Sequence, residues 1–265
     1  TVAMTGDGVN DVLALKDADC SVAMASGCDA AAQVSQLVLL ESDFSAMPSV
    51  VAEGRRVVNN VQRSASLFLV KNIFSFLLSV FSACFMISYP LEPSQLSLIT
   101  MFTIGVPGFF LALQPNEDPI RGKFLPNVLA KALPAGLTDF LVVGALVIFG
   151  RVFGVNVGDI SIACTMLLSI VGFMILYNIS KPLNWFRWII WGGCVTGLLV
   201  CSIWLGDIFG IGRMSLKCVL LFGVFAIATE PILRYGILLT ETVSRLHRAH
   251  REKRLAKKAQ KAENN

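Results

Sequence analysis

The order of hydrophobic and polar positions divides the chain into a mixed region, a long apolar region and a charged end. Up to residue 63, short apolar runs alternate with polar segments that contain glycine; long apolar runs then dominate as far as residue 240. We predict four parts: 1–44, an α/β piece; 45–63, a stalk helix; 64–240, a six-helix membrane domain; and 241–265, a basic tail.

The first part is predicted to form strands alternating with helices. The apolar runs "TVAM" (1–4), "SVAMA" (21–25) and "LVLL" (37–40) are typical of short buried strands. The segments "DVLALKDA" and "DAAAQVSQ" between them favour helices, and Asn10 is predicted to cap the first. Strands that alternate with helices indicate a parallel sheet, whose ligands bind at the carboxyl ends of the strands.

From Phe44 onward the pattern becomes helical. Its first half is amphipathic and its second half is apolar, which predicts one long helix that rises from the cytoplasm into the bilayer. A span needs about 20 mostly apolar residues. We predict six spans: 64–88, 94–113, 134–153, 161–180, 187–206 and 216–238.

Composition and charge support this membrane assignment and orient it. Hydrophobic residues make up 55% of the chain and charged residues 15%, whereas ordinary globular domains carry about 25% charged residues. Lysine and arginine are concentrated in the stalk, in alternate loops and in the tail, so both ends of the chain are expected on the cytoplasmic side.

The tail is a candidate helix for contact with anionic lipid. Because no aromatic residues are interleaved with its charge, nucleic acid is not an expected partner.

The segment "TGDGVND" (5–11) is the strongest candidate for chemistry. It follows the first predicted strand, and its glycines allow the backbone to approach a phosphate closely. A carboxylate such as that of Asp7 can bind Mg²⁺ together with phosphate and water oxygens, and Asn10 and Asp11 can orient it. The predicted catalytic residues are Asp7, Asn10 and Asp11; the predicted phosphate loop is Thr5, Gly6 and Gly8; and the predicted metal ligands are Asp7 and Asp11.

This segment resembles the hinge motif of the P-type ATPases, T-G-D-G-x-N-D-x-x-A-L-K. Downstream, "VAMASG" is similar to the V-A-M-G-S-G segment of that family, and "EGRRVVNNVQR" is similar to its E-G-R-x-x-x-x-N helix. The resemblance implies the end of a haloacid-dehalogenase-like, Rossmann-type phosphorylation domain, followed by spans five to ten of a cation pump. It also implies Mg²⁺ and ATP as cofactors, with Asp7 as a magnesium ligand that Asp11 supports. The bacterial "cation-transporting ATPase E" branch is most similar, which implies a multi-pass protein of a bacterial plasma membrane.

The resemblance also implies parts that the 265 residues do not contain. Such pumps form an aspartyl-phosphate at an Asp-Lys-Thr-Gly-Thr sequence, which does not occur here. We therefore expect the chain to be the C-terminal part of a pump, to rely on other domains for most of the ATP contacts, and to be inactive alone.

Polar residues within the apolar runs are candidates for the transport site, because such residues are costly in a bilayer. The first two spans supply them, and Gly105 and Pro107 are expected to unwind the second span and expose carbonyl groups to ions. The predicted ion-transport residues are Lys71, Asn72, Ser75, Thr100, Thr103 and Gly105.

The resemblance places these residues in a cation site that departs from that of the calcium pumps. Ser75 stands where those pumps have a glutamate, and Ile104 stands where they have an aspartate. Lys71 matches a lysine of proton–potassium pumps that acts as a tethered counter-charge. Calcium is the first expectation for the transported cation, with magnesium, a proton or another cation as alternatives. The roles of Asp139 and Glu230 are left open.

Two other functions fit parts of the pattern. One is a membrane-anchored phosphatase of the haloacid-dehalogenase kind, which would use the same acidic loop with an upstream Asp-x-Asp motif. The other is a non-catalytic membrane partner subunit, which the loss of the two carboxylates favours.

Overall fold

A computed structural model describes residues 1–114, 116, 118–120, 122–181 and 183–263, with side chains as far as residue 243. The chain divides into two compact units. The first comprises Thr1–Val57 and a short segment around Asp118, and the second begins at Val58 and contains the rest of the described chain.

The first unit contains a small parallel sheet with two short helices. Its strands are β1 (Ala3–Gly6), β2 (Cys20–Met24) and β3 (Leu37–Leu39), paired in the order β1-β2-β3. Helix α1 (Val12–Asp17) connects β1 to β2, and helix α2 (Asp29–Val34) connects β2 to β3. Leu15, Ala23 and Ala31 form the buried core of this unit. The predicted parallel arrangement of strands and helices is therefore confirmed.

The start of α1 differs from the prediction. Asn10 lies inside a 3₁₀ turn, Val9–Asp11, and makes no capping bond to α1. The prediction that Asn10 caps this helix is wrong because the turn inserts three residues between Gly8 and α1. The next 3₁₀ turn, Phe44–Ala46, has a side-chain cap: Asp43 accepts hydrogen bonds from the backbone N–H (2.8 Å) and the hydroxyl (2.5 Å) of Ser45. These bonds lower the pKa of Asp43.

The remaining elements are helical. They are α3 (Met47–Cys84), α4 (Pro93–Thr100), a π-helical turn (Met101–Gly105), α5 (Val106–Ala112), α6 (Phe124–Val152), α7 (Val157–Ile179), α8 (Trp185–Trp204), α9 (Gly206–Phe209) and α10 (Leu216–Glu263). Among the described residues, six helical stretches are long and apolar enough to cross a membrane: Phe44–Cys84, Pro93–Ala112, Phe124–Val152, Val157–Ile179, Trp185–Trp204 and Leu216–Val243. The six predicted spans are thus confirmed as elements.

Two details of the spans differ from the predictions. The third begins at Phe124, ten residues before the predicted start, and continues through Pro134. Its first turns are amphipathic: Val128 and Ala132 are buried whereas the intervening residues are more exposed, so a search for a wholly apolar run misses them. The second span is not unwound at Gly105 and Pro107. It remains helical and widens into the π turn, where the N–H of Val106 donates to the carbonyl of Met101.

Helix α7 lies at the centre of the membrane unit. Most of its side chains are buried, and it packs with α3, α6 and α10 around a core that includes Phe74, Leu78, Val143 and Leu167. On its other side it packs with the π turn and α8 around Leu176 and Phe102. This packing brings polar residues of the first two spans close to α6 and α7.

Candidate functional site

The acidic loop lies at the carboxyl end of β1, and the side chain of Asp11 organises it. One carboxylate oxygen of Asp11 accepts the backbone N–H of Asp7 at 3.3 Å and that of Gly8 at 3.2 Å. The N–H of Asp11 donates to the carbonyl oxygen of Gly8 at 3.2 Å. The loop is therefore closed on itself by a half-buried carboxylate, while the side chain of Asp7 remains exposed.

Two glycines allow this close approach of the backbone. A Cβ at Gly6 would lie 2.6 Å from the Cβ of Asp11. A Cβ at Gly27 would collide with the backbone carbonyl oxygen of Asp7 and lie 2.8 Å from its Cα. Cys28, the residue before α2, connects the chain after β2 to the loop, since its N–H donates to the carbonyl oxygen of Asp7 at 2.8 Å. Gly27 ends the segment "VAMASG", whose position directly after a predicted strand is the sequence signal for this contact.

The other predicted loop residues leave the Asp7 carboxylate open to solvent. Thr5 and Asn10 are exposed and Gly8 is half-buried. No group of three histidine, cysteine, aspartate or glutamate side chains that could hold a metal ion occurs in the described part of the chain. Asp7 with a second oxygen donor still fits Mg²⁺, since this ion usually retains several waters and binds one or two carboxylates together with substrate phosphates.

A second candidate site lies inside the membrane unit. A cavity of about 50 Å³ is bounded by α3, α4 with its π turn, α6 and α7. Lys71, Thr100 and Thr103 line this cavity, so the fold brings three of the six predicted transport residues together. Asp139 of α6 also lines it, and its side chain is only 4% exposed.

The other three predicted transport residues do not line the cavity. Asn72 and Gly105 are exposed within the second unit. Ser75 is half-buried and hydrogen-bonds Tyr89, whose pKa is raised by burial. Glu230, which the sequence left open, is exposed as well. Helical periodicity explains the position of Asn72, because the successive residues Lys71 and Asn72 lie on different faces of α3. Ser75 lies one turn from Lys71 on the same face, but it hydrogen-bonds Tyr89.

The threonine hydroxyls have a defined orientation. The hydroxyl of Thr100 donates to the carbonyl oxygen of Leu96 at 2.6 Å, and that of Thr103 donates to the carbonyl oxygen of Ile99 at 2.8 Å. Each hydroxyl carries one proton, so both oxygens retain only acceptor capacity. Lone pairs of this kind suit a cation rather than an anion.

Asp139 is the residue whose role the sequence could not assign. Its Oδ1 atom is buried and has no hydrogen-bond partner among the described residues. Lys71 and Asp139 line the same cavity without forming an ion pair in the described structure. The residues that line the cavity thus include one aspartate, one lysine and two threonines.

Comparison with known proteins gives a consistent set of relatives. No family model matches the chain. The probable cation-transporting ATPase exp7 of Streptococcus pneumoniae serotype 4 is 38% identical over 215 residues, which is 77% of this chain and 27% of that protein. The calcium-transporting ATPase CtpE of Mycolicibacterium smegmatis is 40% identical over 201 residues, 71% of this chain and 25% of that protein. A calcium-transporting ATPase of Bacillus subtilis is 36% identical over 124 residues, 46% of this chain and 14% of that protein.

The chain therefore spans about a quarter of the length of the first two relatives. The similarity covers most of the described residues, including membrane spans, and is not confined to the acidic loop. The chain belongs to the P-type cation-transporting ATPase family, and it corresponds to the C-terminal part of the members it matches.

Proposed function

We propose that this chain is the C-terminal part of an ATP-driven cation pump of a bacterial plasma membrane, with both of its ends on the cytoplasmic side. The observation that carries the proposal is the closed acidic loop, in which Asp11 holds the backbone of Asp7 and Gly8. Relatives named as cation-transporting or calcium-transporting ATPases support it, and so do the six apolar helices. Calcium is the cation we propose first.

In this proposal the first unit is the end of a haloacid-dehalogenase-like phosphorylation domain. Asp7, exposed at the carboxyl end of β1, would bind Mg²⁺, which would neutralise charge on a phosphoryl group transferred from ATP. Asp11 fixes the loop so that the Asp7 side chain stays extended toward that group. The side chains of Thr5 and Asn10 are proposed to hydrogen-bond the phosphate, while Gly6 and Gly8 allow the loop to approach it closely. The four-part division of the chain, including residues 45–63 as a stalk, belongs to the same proposal.

The membrane unit would contain the cation path. We propose that Lys71, Thr100 and Thr103 act at the cavity, because they line it directly. Asn72, Ser75 and Gly105 do not line it. They are proposed to act through surfaces of α3 and the π turn that other spans would cover. Helix α3 carries Lys71, and we propose that it relays the phosphorylation state to the cavity.

The experiment that tests the proposal uses the full-length pump reconstituted in lipid vesicles. Cation-stimulated ATP hydrolysis is measured with Ca²⁺, Mg²⁺, Na⁺ and K⁺ for the wild type, for Asp7→Asn and for Asp17→Asn. Asp17 is an exposed aspartate at the end of α1, so it controls for loss of charge near the loop. We expect one cation to stimulate hydrolysis, Asp7→Asn to abolish it and Asp17→Asn to preserve it.

A different outcome would overturn the proposal. If no cation stimulates hydrolysis while phosphatase activity on a small phosphate ester persists and depends on Asp7, the membrane-anchored phosphatase replaces the pump. If neither activity occurs, the non-catalytic partner subunit is the remaining alternative.

A further inference from the structure

We propose that a cleft at one end of the membrane unit binds the headgroup of an anionic phospholipid through Lys131 and Lys181. This lysine cleft has a volume of about 640 Å³ and lies between α3, α6, α7 and α10. Ile175 is the one described residue that lines both it and the membrane cavity, so the two sites are distinct. Lipid binding at the lysine cleft would be independent of the proposed transport function.

The lysine cleft is apolar at its base and polar at its rim on each of three helices. The pairs of lining residues, each from base to rim, are Ala135 and Lys131 of α6, Ile175 of α7 and Lys181 just beyond it, and Leu233 and Glu241 of α10. Each base residue is at most 5% exposed, whereas each rim residue is exposed. The sequence order of rim and base is reversed on α6, as expected when consecutive spans run in opposite directions. A phospholipid has the same division, with a charged phosphate at one end and hydrocarbon at the other.

The rim falls where the sequence places the interface between membrane and water. Lys181 lies in the connection between α7 and α8, and Trp185, which is 78% exposed, begins α8. Tryptophan is enriched at the level of the lipid headgroups. Helix α10 continues from Glu241 into the basic tail, which adds positive charge at the same end of the unit. Basic pockets between spans at this level are typical binding sites for phosphate-containing headgroups.

The ammonium group of Lys181 is held in position at the rim. Its Nζ atom donates to the Oδ1 atom of Asn178 at 3.2 Å and lies 4.8 Å from the ring centroid of Tyr177. An ammonium group has three donors, so Lys181 can also donate to a phosphate oxygen. Because the side chain is already positioned, binding a phosphate there costs less conformational entropy.

Lys131 is the second positive group of the rim, and its surroundings favour an anion. No hydrogen bond or ion pair of its side chain occurs among the described residues. The guanidinium group of Arg63 is close enough to act on Lys131 electrostatically. Two like charges repel each other, and a negative group that enters beside Lys131 reduces this repulsion.

The other lining residues favour a lipid over a free phosphate. Glu241 also lines the cleft, so its two lysines and one glutamate leave one net positive charge. This charge suits a phosphodiester, which carries one negative charge, better than a free phosphate, which carries about two near neutral pH. The apolar base, where Leu233 is 2% exposed, can contact the first methylene groups of an acyl chain.

The test measures the Kd of phosphatidylglycerol for the full-length protein in uncharged detergent micelles by native mass spectrometry. Replacing both lysines, as Lys131→Gln with Lys181→Gln, should raise this Kd about thirtyfold, because each lysine near a lipid surface contributes roughly a factor of five. The matched control is Lys123→Gln with Arg234→Gln. It removes the same charge from two exposed side chains that do not line the cleft, and it should retain the wild-type Kd.

A steric variant separates the shape of the cleft from its charge. Ala130 lines the cleft and is exposed, so Ala130→Trp places an indole there without disturbing the buried core. Both lysines remain, yet the Kd of phosphatidylglycerol should rise about tenfold or more because the indole occupies the space of the headgroup. The Tm of this variant in phosphatidylcholine nanodiscs should equal that of the wild type.

Three results would overturn the inference. One is an equal Kd for phosphatidylglycerol and phosphatidylcholine, and another is a loss of affinity in the matched control as large as in the lysine variant. The third is displacement of phosphatidylglycerol by an equal concentration of glycerol 3-phosphate, which would make the cleft a site for soluble phosphate compounds. None of these measurements involves ATP hydrolysis, so the lipid site and the proposed pump can fail separately.

Discussion

Replacing Gln95 with methionine tests whether a buried hydrogen-bond network holds the membrane unit together. Gln95 lies in the first turn of α4 and is 1% exposed. Its Oε1 atom accepts the hydroxyls of Ser161 and Thr165 on α7, both at 2.8 Å, and the backbone N–H of Glu92 at 3.4 Å. Its Nε2 donates to the carbonyl oxygen of Gly210 at 3.2 Å. The amide thus connects α4 to α7 and to the chain that follows α9.

The expected magnitude follows from these four bonds. In membrane proteins a side-chain hydrogen bond contributes about 0.6 kcal/mol on average and at most about 1.7 kcal/mol. Four such bonds predict that Gln95→Met lowers the free energy of unfolding by about 2 kcal/mol. The loss at Thr165 is partly offset, because its hydroxyl can still donate to the carbonyl oxygen of Ser161, 2.9 Å away. Methionine has a similar volume, so a cavity adds little to this value.

The assay is equilibrium unfolding of the chain in mixed micelles by increasing fractions of sodium dodecyl sulfate. Ser161→Ala, which removes one of the four bonds, should cost about 0.6 kcal/mol. In the double variant the two effects should not add, because the same bond is counted in each single variant. Thr196→Val is the control, since its hydroxyl bonds only within α8 and is exposed. If Gln95→Met unfolds within about 0.3 kcal/mol of the wild type, the network does not stabilise the unit and the reasoning is refuted.

Two glycine substitutions test the candidate sites sterically, with Gly54→Ala as the control because nothing lies within 4 Å of its Cβ position. Gly27→Ala should displace the backbone of Asp7 and lower the Mg²⁺-dependent ATPase rate of the full-length pump about tenfold or more. The assay is the initial rate as a function of Mg²⁺ concentration. An unchanged rate would show that the close contact between Gly27 and Asp7 is not needed. Gly172→Ala should push Thr103 into the cavity and weaken Ca²⁺ binding to the chain in nanodiscs, measured by isotope binding. A wild-type affinity would show that Thr103 and its neighbours accommodate the added methyl group without affecting the cavity.

Much of the fold was predictable because it depends on local patterns. The three apolar runs of the first unit became β1–β3 within one or two residues, since each is short and bounded by glycine or polar residues. The six spans were found from their apolar length. Their ends were less predictable: α6 begins at Phe124 because amphipathic turns precede its apolar part, and α10 continues beyond the predicted span into the tail.

The two candidate sites were likewise predictable only in part. The loop "TGDGVND" was evident from its motif, but the role of Asp11 as acceptor of two backbone N–H groups depends on a 3₁₀ turn that the sequence did not indicate. Of the predicted transport residues, only those on one face of each helix meet at the cavity. Which face that is depends on packing against α6 and α7, and no pattern within α3 alone determines it.

Hydrogen-bond satisfaction, rather than polarity, separates structural from functional polar residues in this membrane unit. Thr138 and Ser169 are as deeply buried as Asp139, but their hydroxyls donate to carbonyl oxygens of their own helices, at 2.7 Å and 2.9 Å. Such residues cost the fold little and need no ligand. Ser82 has a buried hydroxyl with no hydrogen-bond partner in the described part of the chain, yet the desolvation penalty of a neutral hydroxyl is modest. A buried carboxylate without a hydrogen-bond partner is far more costly. Asp139 carries such a carboxylate among the described residues, and it lines a cavity that Lys71 also lines. Because most of the side chains around that carboxylate are apolar, its burial indicates either a positive partner or a proton that neutralises it.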